Sequence, residues 1–439
     1  MKILVYRMFF HGAFEKAVRA YDSNIIFFSS ERRMDETGTI SRYYDTTEEA
    51  VIDNATLFSI IYRCRYLSGI NVYEASKKVR KMWASVSNYV AENPIDLILT
   101  PAVDNYVTDI WFRIAETRGI LALQPRRSPL QGLVRITNGL DNRILREPSK
   151  EEIRRNIILL SNKFKADYQN IEIRTAIQIT RRFLKEVGKK IIFEIWKMRY
   201  KDPDSYHYNA IYPNKNSITF KSISQLWYHK KFKQNIHDIK KNKINYEKTV
   251  FWPLAMAPES ALCYLNEDYS FSNYENVLNI IASTLPDNIL LVVKEHPSAI
   301  GYRNVEQFRQ LENKNNIIII KPSESTSEII KSVDAVLIKT SATTGLEAVA
   351  NGKPVLAIGS CHYNIENIVD EIPKLAEVVK WFEKIRFVPL HEHEKEEVFR
   401  KYLSNTVDNA TWALAGTSLP DYQQKINNTL HMCIKLLKK

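Results

Sequence analysis

Asp334-Ala-Val-Leu-Ile-Lys339, then Thr340-Ser-Ala-Thr-Thr-Gly345, then Leu346-Glu-Ala-Val-Ala350, closed by Asn351-Gly-Lys-Pro354, is the stretch that decides the fold. It reads as an apolar strand, a hydroxyl-rich turn and an opening helix. Upstream, Ile289-Leu-Leu-Val-Val-Lys294 is a second apolar run and stops at Glu295, His296 and Pro297. Runs that are apolar at every position suit strands buried on both faces of a parallel sheet. A helix start offers unbonded N–H groups and the positive end of a dipole, which favour an anion. In an open α/β sheet the carboxyl ends of parallel strands border one crevice. His296 and the Thr340 to Gly345 turn are therefore expected to hold the same ligand.

Working outward, Thr249 to Pro253, Asn288 to Val293, Asn316 to Lys321, Asp334 to Lys339 and Pro354 to Gly359 read as five strands alternating with helices. Residues 249–390 are accordingly expected to form a Rossmann-like domain. The other end of the chain alternates in the same way. Lys2 to Tyr6, Asn24 to Phe28, Asp96 to Thr100 and Gly119 to Leu123 are strands, 47–93 is helical, and Val103 to Arg118 is a helix. Residues 1–150 thus form a second Rossmann-like domain. Residues 151–248 break the alternation and read as a basic, mostly helical connector or insertion, and 391–439 as C-terminal helices. The expected architecture is α/β, with two Rossmann-like domains facing a cleft.

The chain has 439 residues and a formal charge of +12, and the charge is local. Glu151 to Lys248 carries 22 Lys and Arg against 10 Asp and Glu, while the remainder balances at 40 against 40. One basic segment, and not a basic protein, argues against a general nucleic-acid binder. Its plain reading is a solvated helical connector; the sharper one is a basic amphipathic surface in peripheral contact with an anionic membrane. The four cysteines, Cys64, Cys263, Cys361 and Cys433, show no metal-ligand spacing and suit a reducing compartment. With no transmembrane run and no signal-peptide profile at Met1-Lys-Ile-Leu-Val-Tyr6, a cytoplasmic location is expected. Neither a Gly-x-Gly-x-x-Gly fingerprint nor a Walker-type loop is present, which argues against a dinucleotide oxidoreductase and a P-loop nucleotidase.

Phe251-Trp-Pro-Leu254, Ala257-Pro-Glu259, Val293-Lys-Glu-His-Pro297, Gly301-Tyr-Arg303, Thr340 to Ala348, Gly352-Lys-Pro-Val355 and Gly359 occur in order. As a set they resemble the bacterial capsule polysaccharide biosynthesis family. That family includes Kdo transferases, and its layout is similar to sialyltransferases with a His-Pro motif and a downstream Ser/Thr pair. The resemblance implies a GT-B glycosyltransferase using a nucleotide-activated sugar, often a CMP-linked acidic one, and a glycan or glycolipid acceptor. No cofactor or metal is expected. The runner-up enzyme is an epimerase of the same architecture; a different class is a non-catalytic component of the capsule machinery that binds membrane or polymer.

Departure of a nucleotide phosphate builds negative charge, which pre-placed donors stabilise. His296, next to Lys294 and Pro297, is expected to donate to that phosphate. Thr340, Ser341, Thr343, Thr344 and the helix start behind Gly345 are expected to cradle it. Glu347 is a candidate for a ribose hydroxyl, and Glu259 for the base or ribose. The plain alternatives are a turn histidine, a helix N-cap and a first-turn carboxylate. An acceptor hydroxyl also needs a base. Asp104, just after a strand end, is the first candidate and His11, after the first strand, the second, against a helix N-cap and a loop histidine. Asp202-Pro-Asp204 and His391-Glu-His393-Glu resemble metal motifs but lack, respectively, a preceding apolar strand and helical ligand spacing.

Overall fold

A computed structural model of the protein describes residues 1–7, 12–45, 48–100, 102–139, 141–142, 144–162, 184, 188, 234–256, 264, 266, 268–299, 305–412 and 421–438. The described chain divides into two compact units. The first takes in residues 1–146 and 405–438, the second 147–162 and 234–404. Each is built on its own largely parallel sheet, so the expected pair of Rossmann-like α/β units is what the chain forms.

In the first unit, β1 (Ile3–Tyr6), β2 (Ile26–Phe28), β3 (Leu97–Leu99) and β4 (Leu121–Arg127) pair in parallel in the order β4-β3-β1-β2. Leu4 and Tyr6 point into one core with Trp111 and Val86, whereas Ile3 and Val5 point into another with Phe14, Leu430 and Cys433. Two covered faces explain why the strand has no polar alternation. An antiparallel edge of β5 (Val134–Asn138) and β6 (Asp141–Asn142) extends the sheet beyond the strands expected there. The segment 47–93, read as helical, contains from residue 48 on the helices Asn54–Arg63 and Val72–Glu92 with a 3-10 turn, Leu67–Gly69, between them, and Val51 stands 96% exposed before them. Asp53 and Asn71 cap the two starts, each accepting a backbone N–H. Such local caps interrupt a hydrophobic period that by itself runs on.

The second sheet contains β7 (Lys248–Pro253), β8 (Ile289–Lys294), β9 (Ile317–Ile320), β10 (Ala335–Lys339), β11 (Val355–Ile358) and β12 (Val369–Ile372), all parallel. Five strands were expected. The sixth, β12, is an edge strand whose two central residues, Asp370 and Glu371, are only half-buried, so it lacks the continuous apolar signal. β8 is buried at all six positions, with Leu291 and Val293 in a core beside Trp252 and Trp381. The amino ends of the strands are tied by Asp334, which accepts from Thr249 N at 2.8 Å and pairs with Lys243 at 2.7 Å.

The terminal segment 391–439 is divided between the units. Glu392–Ser404 is a helix of the second unit, with Val398 and Phe399 buried. β13 (Thr406–Val407) then pairs with β5, and the helix Tyr422–Leu437 buries Ile426 and Leu430 against Phe14 and Val18 of the first. Gln423 donates from Nε2 to the Ala17 carbonyl at 2.8 Å. Most of 151–248 lies outside the described residues; the helices Lys150–Ser161 and Ile236–Lys243 flank it. Among the described residues no helix is long and apolar enough to cross a membrane.

Candidate functional site

Reading across the second sheet, β12-β11-β10-β7-β8-β9, the connections run outward in opposite directions from the neighbouring pair β10 and β7. That pair is the topological switch point, and the crevice beyond its carboxyl ends is where open α/β sheets bind ligands. The turn Thr340 to Gly345 leaves the carboxyl end of β10, directly at this point. Lys294, Glu295 and His296 leave the next strand but one, β8.

Thr340 is buried and takes a left-handed conformation, φ 52°. For a β-branched residue this is a strained state of order 1–3 kcal/mol, and such strain collects at functional turns. Its N–H donates to Ile358 O at 2.9 Å. Ser341 Oγ accepts from His362 N at 2.9 Å, and Tyr363 donates its hydroxyl to Ala342 O at 2.5 Å. The turn is therefore braced by the segment that follows β11.

The helix behind the turn is Thr343–Ala350 and starts earlier than expected, so Gly345 lies within its first turn and not before it. A Cβ at Gly345 would meet the Tyr363 hydroxyl and would stand 2.7 Å from Ile338 Cδ1, so only glycine allows this helix to pack so closely on β10. Ala342 occupies the N-cap and supplies no side-chain oxygen. Gly345 N donates to Ala342 O at 3.0 Å, while among the described residues no side chain caps the start of the helix. Among the described residues the half-buried Thr343 and Thr344 hydroxyls make no hydrogen bond.

At the end of β8, Lys294 is buried and donates to Thr326 Oγ1 at 2.8 Å. Burial pushes its ammonium down to about 8, against the attraction of Glu347 and Glu324. Burial likewise pushes the Glu347 carboxyl up to about 7, against the attraction of Lys294. These two groups form one electrostatic pair. Glu295 is fully buried and accepts from His296 N at 2.7 Å; His296 is half-buried, and Pro297 opens the short 3-10 turn Pro297–Ala299. Glu259 and His11 lie outside the described residues.

In the first unit the order reverses between β1 and β3, so its switch point lies beyond Tyr6 and Leu99. Asp104 follows β3 and is ion-paired with Arg65. It is not the N-cap of the following helix: Asn105 is, accepting from Val107 N at 3.1 Å and Thr108 N at 3.0 Å. Asn105 Nδ2 also donates to Tyr6 Oη at 3.3 Å, and Tyr6 Oη and Ser30 Oγ lie 2.7 Å apart. Beside this network is Glu31, a residue the sequence reading gave no role. It is 8% exposed, it caps nothing, and burial alone pushes its carboxyl up to about 7. The signal was available, since a carboxylate directly after a buried strand of an α/β sheet stands at the ligand-bearing edge.

Two Rossmann-like units in one chain, one with a hydroxyl-rich turn at its switch point, define an α/β protein of GT-B composition. The sequence profile of the capsule polysaccharide biosynthesis protein family matches residues 159–384, and the chain belongs to that family. A comparison with curated protein sequences finds no match. Among solved structures, Thermosulfurimonas dismutans KpsC, a beta Kdo 2,4 transferase, is similar at 14% identity over 40% of this chain, with a TM-score of 0.25. The chain covers 55% of the length of that protein. The UDP-GlcNAc 2-epimerase of Methanocaldococcus jannaschii is similar at 11% identity, covering 92% of this chain and 99% of its own, with a TM-score of 0.28. Anabaena HepE, in complex with UDP-glucose, is similar at 11% identity over 100% of both chains, with a TM-score of 0.24.

Proposed function

We propose that the protein is a glycosyltransferase of capsule or surface polysaccharide assembly whose nucleotide-sugar donor binds at the switch point of the second sheet. The observation that carries this reading is the Thr340 to Gly345 turn. It is strained at Thr340, lacks a side-chain cap at Ala342, and leaves the same sheet edge as the end of β8, where Lys294 leads into His296. A nucleotide phosphate placed there receives the first amides of the helix and the Thr343 and Thr344 hydroxyls, and His296 donates as the leaving group gains charge. On this reading the protein itself neutralises the phosphate, and no metal is needed. The resemblance noted from the sequence favours a CMP-linked acidic sugar such as Kdo or a sialic-acid-like sugar. A glycan or glycolipid is the acceptor, and its base comes from the carboxyl edge of the first sheet. Asp104 and His11 are the candidates read from the sequence, and Glu31, which follows β2, joins them. Peripheral contact with an anionic membrane is assigned to the basic 151–248 segment, on charge alone.

The test is thermal stabilisation of the full chain by CMP, UDP, GDP and ADP, with and without EDTA, because a ligand that binds only the folded state raises its stability. The expected result is a selective rise with CMP, unchanged by EDTA and lost in His296→Ala. A selective rise with UDP would keep the site and change the donor. No rise with any nucleotide would overturn the reading, and turnover of a donor to free altered sugar without acceptor would replace it with an epimerase.

A further inference from the structure

The antiparallel pairing of β4 with β5 sets Arg126 directly opposite Arg135. Residues opposite one another in such a ladder project from the same face, and like charges there repel. Arg135 is 8% exposed, and its Nε donates to Asn405 Oδ1 at 3.3 Å. Arg126 is half-buried and bonds the neutral amide oxygen of Gln124. Its Nε is buried without a hydrogen-bond partner, and no carboxylate among the described residues pairs with it. Arg146 adds a third guanidinium close by, donating to Thr406 O at 3.1 Å and Thr406 Oγ1 at 3.0 Å, and Thr406 is the residue of β13 that pairs with Arg135.

Holding two guanidinium groups together away from water is costly unless an anion joins them. Burial and the charge of Arg135 together push Arg126 down to about 9, a measure of that cost. Guanidinium forks match phosphate and carboxylate oxygens two at a time. The position suits a ligand as well, since Arg126 lies on β4 beyond Leu123, whose carbonyl accepts from Thr100 N at 3.0 Å, and so stands past the carboxyl end of β3.

We propose that Arg126 and Arg135 form a binding site for an oxyanion, a phosphate or a carboxylate group, on the first unit. This site is separate from the Thr340 to Gly345 turn and does not depend on the donor assignment made above.

The experiment is thermal unfolding of the full chain in chloride, inorganic phosphate and acetate at matched ionic strength, for wild type, Arg126→Gln and His296→Ala. In wild type, phosphate is expected to raise the Tm; a rise in acetate as well assigns carboxylates to the same site. Arg126→Gln, relieved of repulsion, is expected to melt higher than wild type in chloride and to lose the anion-dependent rise. His296→Ala is expected to keep it, which separates this site from the nucleotide turn. Should Arg126→Gln fail to fold, Arg126→Lys carries the test, retaining the charge but losing the fork and with it most of the response. No rise in either anion, or a rise that survives substitution of Arg126 in the His296→Ala background, overturns the proposal.

Discussion

Gly345→Ala is expected to destabilise the second unit and to abolish its nucleotide response. On propensity alone the exchange would favour the helix by about 1 kcal/mol. Overpacking a closed core costs typically about 1–3 kcal/mol, and here the new methyl meets the Tyr363 hydroxyl with Ile338 Cδ1 at 2.7 Å. Both side chains are fully buried, so neither can step aside into solvent. The packing term therefore wins. Because Tyr363 bonds Ala342 O at 2.5 Å, relieving the collision also moves the residue that starts the helix. The double variant Gly345→Ala with Tyr363→Phe removes the nearer obstacle and should recover part of the stability. Unfolding of the single and double variants with a CMP titration of each checks this; an alanine variant as stable as wild type would show that the helix is not wedged on β10.

Glu31→Gln is expected to stabilise the protein at pH 8 and to leave it unchanged near pH 5. The carboxyl is raised from its ordinary value near 4.5 to about 7 by burial. Between those values the unfolded chain has released the proton and the folded chain still holds it, so stability falls as pH rises and levels off above about pH 7. A rise of that size corresponds to about 3 kcal/mol at most, reduced by the screening of solvent that reaches the carboxyl. Glutamine copies the protonated acid and does not titrate, so its advantage grows across the same window. The other groups of the cluster do not mask the effect. Tyr6, next to Glu31, is itself pushed up to about 12 by burial, and Asp104 is paired with Arg65. Melting temperatures of both proteins from pH 5 to 8 are the measurement. A pH-independent difference would show that Glu31 is ionised in the fold.

Much of the fold was legible because its strands are buried on both faces. Ile289 to Val293 and Asp334 to Lys339 are apolar for a length and with ends that only a parallel α/β sheet explains. The strands that went unread, β5, β6, β12 and β13, are edge or antiparallel pieces. Val369–Ile372 has two half-buried acids at its centre and its neighbour on one side alone, so nothing local marks it as a strand. Helix limits were blurred where a cap and not a change of hydrophobicity ends the pattern, as at Asp53 and Asn71.

For the site the division is similar. The amino-acid sequence by itself determined the strand-turn-helix unit at Thr340 to Gly345 and the charged end of β8, because chain-local order places them. Only the tertiary structure decided that Lys294 and Glu347 act on one another, that Tyr363 leaves no room at Gly345, and that Arg126 faces Arg135. Strand order and register bring those partners together. Both are set by the summed burial of the whole sheet, which no single stretch of sequence contains.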